Sequence, residues 1–270
     1  RYGSTNKYTA QAWDVLRKTV YSGGTIIRDG SESIITGRPT LDSNTVWTRT
    51  TFNYKPKDFL PAWDAIINAI PQCSSSDGFR YDLVDVTRQA LANYALPLQK
   101  KWVDAYRQKN RTDFENYSNQ FLELISDMDR LLATRKDFLL GQWISDARKQ
   151  GNTREEQDIY ERNARDLITL WGDENSPLHE YSCRQWSGLL NDFYKVRWEK
   201  FFAEMRTAMN AGKEIDVKTF DQSIRQWEWQ WVNGHKDYPF NPVGNTIAET
   251  KAIYKKYRKT IGEAYENGVN

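Results

Sequence analysis

The sequence predicts an all-α fold, a compact multi-helix domain of about nine helices with one long irregular loop near the N-terminus. Three observations carry this expectation. Apolar residues recur at helical spacing along most of the 270-residue chain. Glycine and proline fall mainly between those stretches, where they end one helix and begin the next. Candidate strands reduce to two short runs inside one loop. No proline- or glycine-rich linker divides the chain, so residues 1–270 are expected to form a single domain.

Ala12, Trp13, Leu16 and Val20 define a first helix over 9–21. The irregular stretch from Ser22 to Lys57 follows, broken by Gly23-Gly24, Asp29-Gly30, Gly37 and Arg38-Pro39. Within it, Thr25-Ile26-Ile27 and Ser33-Ile34-Ile35-Thr36 are expected to pair as a small hairpin through Asp29-Gly30. Phe59 to Ile70 reads as a helix stopped by Pro71, and Cys73 to Gly78 as a serine-rich turn. From Phe79 to Gln108 the helix has apolar residues nearly all round, with Asp82, Asp85 and Gln89 on a narrow polar stripe. Such a helix is surrounded by protein, and Pro97 is expected to kink or interrupt it. Further helices are expected over 112–133, 138–150, 153–170, 177–210, 219–233 and 246–258.

Thirty-eight basic and thirty-six acidic residues leave the chain nearly neutral, which argues against nucleic acid or an anionic membrane as partner. No apolar run is long enough to span a bilayer. With neither an initiator methionine nor a charged leader, the chain is expected to be a mature product or part of a longer one. Cys73 and Cys183 are too few for a disulfide framework and match no metal spacing. Asn110-Arg111-Thr112 and Asn116-Tyr117-Ser118 fit the glycosylation pattern, which matters only in a eukaryotic secretory host. Eleven tryptophans, fifteen tyrosines and eleven phenylalanines suit either thick helix interfaces or sugar contacts.

The break Leu170-Trp171-Gly172-Asp173-Glu174-Asn175-Ser176-Pro177 organises the second half. Gly172 reads as a helix stop in the left-handed conformation, and Ser176-Pro177 as the cap and first residue of the next helix. Trp171 then lies at one helix end, with Leu178 and Tyr181 in the first turn of the next. These three side chains either close a helical hairpin as core or wall a small-ligand pocket.

Motifs for nucleophilic serine chemistry, nucleotide binding or a His-Glu-x-x-His metal site do not occur. His179 and His235 read as surface or hydrogen-bonded structural residues. Asp82 with Asp85, Asp173 with Glu174, and Glu180 are the inviting acids for glycosidic acid/base work. Salt bridges to Arg80 or Arg88 and helix-end charges explain them better. No catalytic residue, metal or cofactor is therefore assigned. Arg197 is more telling. It lies in the middle of the face made by Trp186, Leu189, Leu190 and Phe193, so its guanidinium is expected to be enclosed and paired with a carboxylate or several carbonyls.

Several segments resemble, in order and at matching separations, the C-terminal helical region of glycoside hydrolase family 89, the α-N-acetylglucosaminidases. They are Arg1-Tyr2-Gly3 with Trp13 and Val20-Tyr21, Arg38-Pro39-Thr40-Leu41, Phe79 to Ala90, Phe138 to Trp143, Tyr160-Glu161-Arg162-Asn163, Thr169-Leu170-Trp171-Gly172, Arg197-Trp198 with Phe201, and Tyr238-Pro239 before Gly244-Asn245-Thr246. The resemblance implies exo-acting, retaining hydrolysis of terminal α-linked N-acetylglucosamine (GlcNAc) by two glutamates on an upstream (β/α)8 barrel that this sequence lacks. It implies an extracytoplasmic enzyme (secreted, periplasmic or lysosomal) whose partners are that barrel and a GlcNAc-terminated glycan. It also places Trp171, Tyr181 and Leu178 in the substrate pocket wall. Some members contribute a histidine from the loop after the first helix. This sequence reads Asp29-Gly30-Ser31-Glu32 there, so Ser31 or Glu32 is expected to stand in. A free-standing carbohydrate-binding or interaction module without chemistry shares the same aromatic wall and stays open at this point.

Overall fold

A computed structural model of the chain describes residues 2, 6–23, 32–43, 50–176 and 182–266. Among these, every extended element is α-helical except for short 3-10 and π turns, and one isolated bridge pairs Leu139 with Ser187. The helices are α1 (Lys7–Lys18), α2 (Pro56–Asn68), α3 (Ile70–Cys73), α4 (Asp77–Arg107), α5 (Arg111–Leu132), α6 (Leu140–Arg148), α7 (Arg154–Leu167), α8 (Lys195–Asn210), α9 (Val217–Val232) and α10 (Thr246–Glu266). The all-α expectation holds, with one more short helix than the sequence pattern suggested. No helix among the described residues is long and apolar enough to cross a membrane.

The α4–α5 hairpin is the hub. Helices α2 and α10 pack against α4, α8 packs against α5, α1 lies on α2, and α6 pairs with α7, which reaches α9. The hub exists because α4 is apolar on most sides, and it buries Phe79, Leu83, Val84, Leu91, Leu98 and Trp102. Trp102 meets the rings of Phe121, Trp198 and Phe202 at centroid distances of 6.2, 5.9 and 5.0 Å, all edge to face. Much of the aromatic surplus thus fills the helix interfaces, where each ring buries a large apolar area and its quadrupole favours this geometry.

Pro97 does not interrupt α4, which runs unbroken for 31 residues. Proline inside a helix costs roughly 3 kcal/mol, and the enclosed residues on either side of it outweigh that. Pro71 instead opens the short turn α3, where a missing N–H is harmless. The hairpin expected near the N-terminus is not formed as drawn. Ile34–Thr36 is a 3-10 turn, with the Ser33 hydroxyl accepting from the Ile35 N–H, while residues 24–31 lie outside the described residues. Ile34, Ile35 and Thr36 are all buried, so the segment is held by packing rather than by strand pairing.

Of the helix expected over 177–210, residues 177–181 lie outside the described residues, and the described helical part begins at Leu189. Residues 182–186 are irregular, with Cys183 at φ +46°, a π-helical turn covers Leu190–Tyr194, and α8 continues from Lys195. The cap comes from far away in the chain. Asp129 on α5 accepts the N–H groups of Gly188 (2.7 Å) and Asn191 (3.1 Å) and the Ser187 hydroxyl (3.1 Å). A helix N-terminus needs an acceptor for its free amides, and a buried carboxylate from a neighbouring helix serves as well as a local serine. Burial pushes the Asp129 carboxyl above its ordinary range despite these donors.

A strap at residues 236–240 lies across α6. The Tyr238 hydroxyl donates to Asp192 in the π turn, and Arg165 Nη2 donates to the Lys236 carbonyl at 3.1 Å. A Cβ on Gly141 would stand 2.2 Å from the Pro239 carbonyl oxygen, so only glycine lets the strap approach. Gly141→Ala is expected to destabilise the fold by about 1–3 kcal/mol, read as a lower thermal midpoint. An unchanged midpoint would mean that the strap is not held against α6.

Candidate functional site

Helix α7 ends at Leu167, and the chain turns through buried Ile168, Thr169 and Leu170 before Trp171 emerges. The Trp171 N–H donates to the Asp166 carbonyl (2.8 Å), and the Gly172 N–H to Asp166 Oδ1 (3.2 Å). Burial raises the Asp166 carboxyl above its usual range, and the Gly172 amide opposes that rise. Trp171 itself occupies the left-handed region at φ +57°, where a residue with a Cβ pays about 1–2 kcal/mol. Gly172, expected to take that conformation, does not. It is required for a different reason: its absent Cβ makes room for the Ser176 side chain, whose Oγ would lie 2.5 Å from it. The indole remains 38% exposed. A bulky apolar ring held outward on a strained backbone is an outlier of the kind that marks binding sites.

A ladder of charges fixes this loop to the rest of the fold. Arg225 donates to the Ser176 carbonyl (3.4 Å) and pairs with Asp221 (2.9 Å). Asp221 also receives Arg38 Nε (2.5 Å), and Arg38 reaches Glu228 through both terminal nitrogens (3.3 and 3.0 Å). Glu228 in turn receives Arg197 Nη1 at 3.1 Å, while Arg197 Nη2 donates to the carbonyls of Thr36 (3.1 Å) and Gly37 (2.6 Å). Arg197 and Glu228 are both fully enclosed. The enclosed, carboxylate-paired Arg197 is what its place on the apolar face predicted. Burial alone pushes the Asp221 carboxyl up, but Arg38 and Arg225 more than reverse it, leaving it below the usual range. Through these contacts the Trp171 loop and residues 36–38 belong to one hydrogen-bonded network.

Helix α4 adds a polar ribbon. Arg88 pairs with Asp85 (2.8 Å) and donates to Gln185 (2.9 Å) and Gln89 (3.1 Å). Gln89 donates to Asn93 (2.7 Å), which donates to the Tyr54 hydroxyl (3.2 Å). The Ser33 hydroxyl, next to Glu32, donates to the Ala92 carbonyl on the same helix (3.1 Å). Asp82, Asp85, Arg88 and Gln89 line a cleft of about 230 Å3, with Trp13 and Tyr21 across from them. Asp85 is paired with Arg88, and Asp82 accepts the Tyr2 hydroxyl.

Of the residues expected at the site, Trp171 is exposed at a loop tip and Glu32 is half-buried. Ser31, Leu178 and Tyr181 lie outside the described residues, as do His179 and Glu180. The sequence pattern did not pick out Arg38, Asp221 and Arg225 as site residues. Their signal was weak because the partners lie on separate segments and meet only in the fold.

Asp158, Glu161 and His235 bring three potential metal donors within 4.8 Å of one another. A cation does not fit there. Glu161 already receives Arg148 (2.7 Å) on one oxygen and Arg165 (2.7 Å) on the other, and two guanidinium groups repel a metal ion. His235 Nδ1 lies 3.3 Å from Glu161, which is the structural role expected of it.

The chain resembles known proteins over nearly its whole length. It is 32% identical over 260 residues to human alpha-N-acetylglucosaminidase, matching 95% of this chain and 34% of that protein. A family 89 glycoside hydrolase from Clostridium perfringens, solved with 2-acetamido-1,2-dideoxynojirmycin, superposes with a TM-score of 0.87 at 33% identity, over 95% of this chain and 30% of that one. A form of the Clostridium perfringens enzyme with two glutamate-to-glutamine substitutions, in complex with its substrate GlcNAc-alpha-1,4-galactose, gives 0.85 at 33% identity, over 94% and 30%. The chain thus spans about a third of the length of these relatives. The model of the alpha-N-acetylglucosaminidase C-terminal domain matches residues 1–256. With that match over most of its length and the same fold as the clostridial enzyme, this chain belongs to the family of alpha-N-acetylglucosaminidase C-terminal domains.

Proposed function

We propose that residues 1–270 are one helical domain at the C-terminal end of an exo-acting, retaining α-N-acetylglucosaminidase. In this reading a (β/α)8 catalytic domain precedes it in the same polypeptide, and terminal α-linked GlcNAc is the substrate. The similarity to human alpha-N-acetylglucosaminidase and to the clostridial enzyme bound to its substrate GlcNAc-alpha-1,4-galactose supports this activity and sugar. An extracytoplasmic enzyme, secreted, periplasmic or lysosomal, goes with it.

Retention requires two carboxyl groups set close together across the glycosidic bond. The catalytic domain would supply both. No acid described in this chain is offered for that work, because Asp82 and Asp85 are already committed within the fold. The chain's part is to bind and orient. The observation that carries the reading is the outward indole of Trp171, held on a strained residue by a loop tied to Arg225. Such a ring offers an apolar face to the C–H side of a sugar. Tyr181 would add a phenolic hydrogen bond and Leu178 an aliphatic contact, with Ser31 or Glu32 approaching from the N-terminal loop. Together these contacts are worth a few kcal/mol in the pocket.

The longer enzyme containing this chain is expected to release GlcNAc from a substrate ending in an α-linked GlcNAc. Tyr181→Phe should lower kcat/KM by about tenfold, since one hydrogen bond of about 1–1.5 kcal/mol is removed. No GlcNAc release would refute the reading, and unaltered kinetics for Tyr181→Phe would remove that residue from the pocket.

A further inference from the structure

A cleft of about 520 Å3 opens between α6, the first turns of α7 and the strap at residues 236–240. That volume is in the range of small-ligand sites. None of its lining residues belongs to the Trp171 loop. Gln157, which α7 contributes, stands about 15 Å along the helix axis from Leu167, where that loop begins, at roughly 1.5 Å per residue.

The walls are fixed without a ligand. On one side Gly141 lets the strap lie against α6, and Tyr238 is anchored to Asp192. On the other, Gln157 Nε2 donates to the Gly151 carbonyl (3.3 Å), and Arg148 binds Glu161 (2.7 Å). A ligand entering the cleft would therefore order little of the chain, which keeps the cost of binding low.

The lining combines apolar surface with unused polar groups. Ile144 and the Tyr238 ring supply apolar wall, and Phe240, 56% exposed, adds a second ring. Among the described residues, the Ser145 hydroxyl, the Gln157 side-chain carbonyl and the Asp237 carboxylate make no hydrogen bond, and Arg148 uses only Nη1. Charge narrows the choice of ligand. Arg148 is matched by Glu161 and Lys149 by Asp146 (2.9 Å), whereas Asp237 has no cationic partner among the described residues. Its uncompensated charge repels an anion at close range. A wholly apolar guest would strand the polar groups away from water. A neutral, hydroxyl-rich ring satisfies both parts of the lining. Its C–H face packs on an aromatic ring, while its hydroxyls donate to Asp237 and accept from Arg148.

We propose that this cleft is a saccharide-binding site that holds a neutral sugar ring, separate from the Trp171 loop. It goes beyond the pocket role given to Trp171 and does not depend on it. It gives the domain a second hold on a glycan.

The test uses the full-length enzyme, first saturated with 2-acetamido-1,2-dideoxynojirmycin, and GlcNAc-alpha-1,4-galactose as the probe, followed by saturation-transfer NMR. Saturable binding is expected, weakened at least about fivefold by Asp237→Ala and by Phe240→Ala. An excess of inorganic sulfate should leave it unchanged. Both side chains are exposed, so the variants should keep the thermal midpoint of the unsubstituted protein, which separates lost binding from a folding defect. Absence of binding, undiminished binding by either variant, or displacement by sulfate would overturn the proposal, the last by making the cleft an anion site. Trp171→Gly keeps the two sites apart. Binding of the probe should survive that change, and its loss would place the probe at the Trp171 loop and overturn the proposal as well.

Discussion

Glu228→Ala is expected to cost about 3–5 kcal/mol of stability, the largest effect of any single change outside the aromatic core. Glu228 is the shared acceptor of Arg197 and Arg38, and it is fully enclosed together with Arg197. Removing it leaves the enclosed Arg197 guanidinium without this carboxylate, beside the Thr36 and Gly37 carbonyls and the Phe193 and Tyr194 rings. An uncompensated buried charge is penalised far more than a lost pair is missed. Arg38→Ala should cost less, because Arg38 is 16% exposed and water replaces part of its role. Combining Glu228→Leu with Arg197→Met should recover much of the loss, since apolar side chains of similar volume tolerate that interior. The urea midpoint of the helical domain's transition reads all three. Equal losses for Glu228→Ala and Arg38→Ala would contradict the ladder as described.

Trp171→Gly in the full-length enzyme is expected to lower kcat/KM by at least about tenfold, corresponding to about 1.4 kcal/mol of lost transition-state binding. Stability should change little, because two effects oppose each other. The half-exposed ring gives up some packing, while glycine removes the left-handed backbone cost of about 1–2 kcal/mol. Trp171→Ala keeps that backbone cost and loses the ring, so it should be less stable than Trp171→Gly yet equally impaired in turnover. A core tryptophan would behave differently, with activity and stability falling together.

The helices were legible because their signals are local. Apolar spacing gave α4 and α5, and the Thr153-to-Glu156 capping box marks the start of α7. Arg197 was legible for a related reason: a charge in the middle of an apolar face has to be paired. What could not be read depends on contacts between distant segments. The described helix starts at Leu189 because Asp129, on another helix, accepts the amides of Gly188 and Asn191, a contact no local pattern announces. Gly172 looked like a left-handed stop, but its neighbour takes that conformation and the glycine serves the close approach of Ser176. Helix α10 continues past Arg258, where its expected range ended, because Ile261 and Tyr265 extend its buried face. At the site, Trp171 came from its motif, while the Arg38, Asp221 and Arg225 supports required the fold to bring three segments together.

Titration of the full-length enzyme with 2-acetamido-1,2-dideoxynojirmycin, comparing the unsubstituted protein with Trp171→Gly, tests the central claim most directly. If the outward indole forms part of the sugar pocket, Kd rises by at least about tenfold while the thermal midpoint of the unliganded enzyme stays the same. An equal Kd for the two proteins would contradict the account.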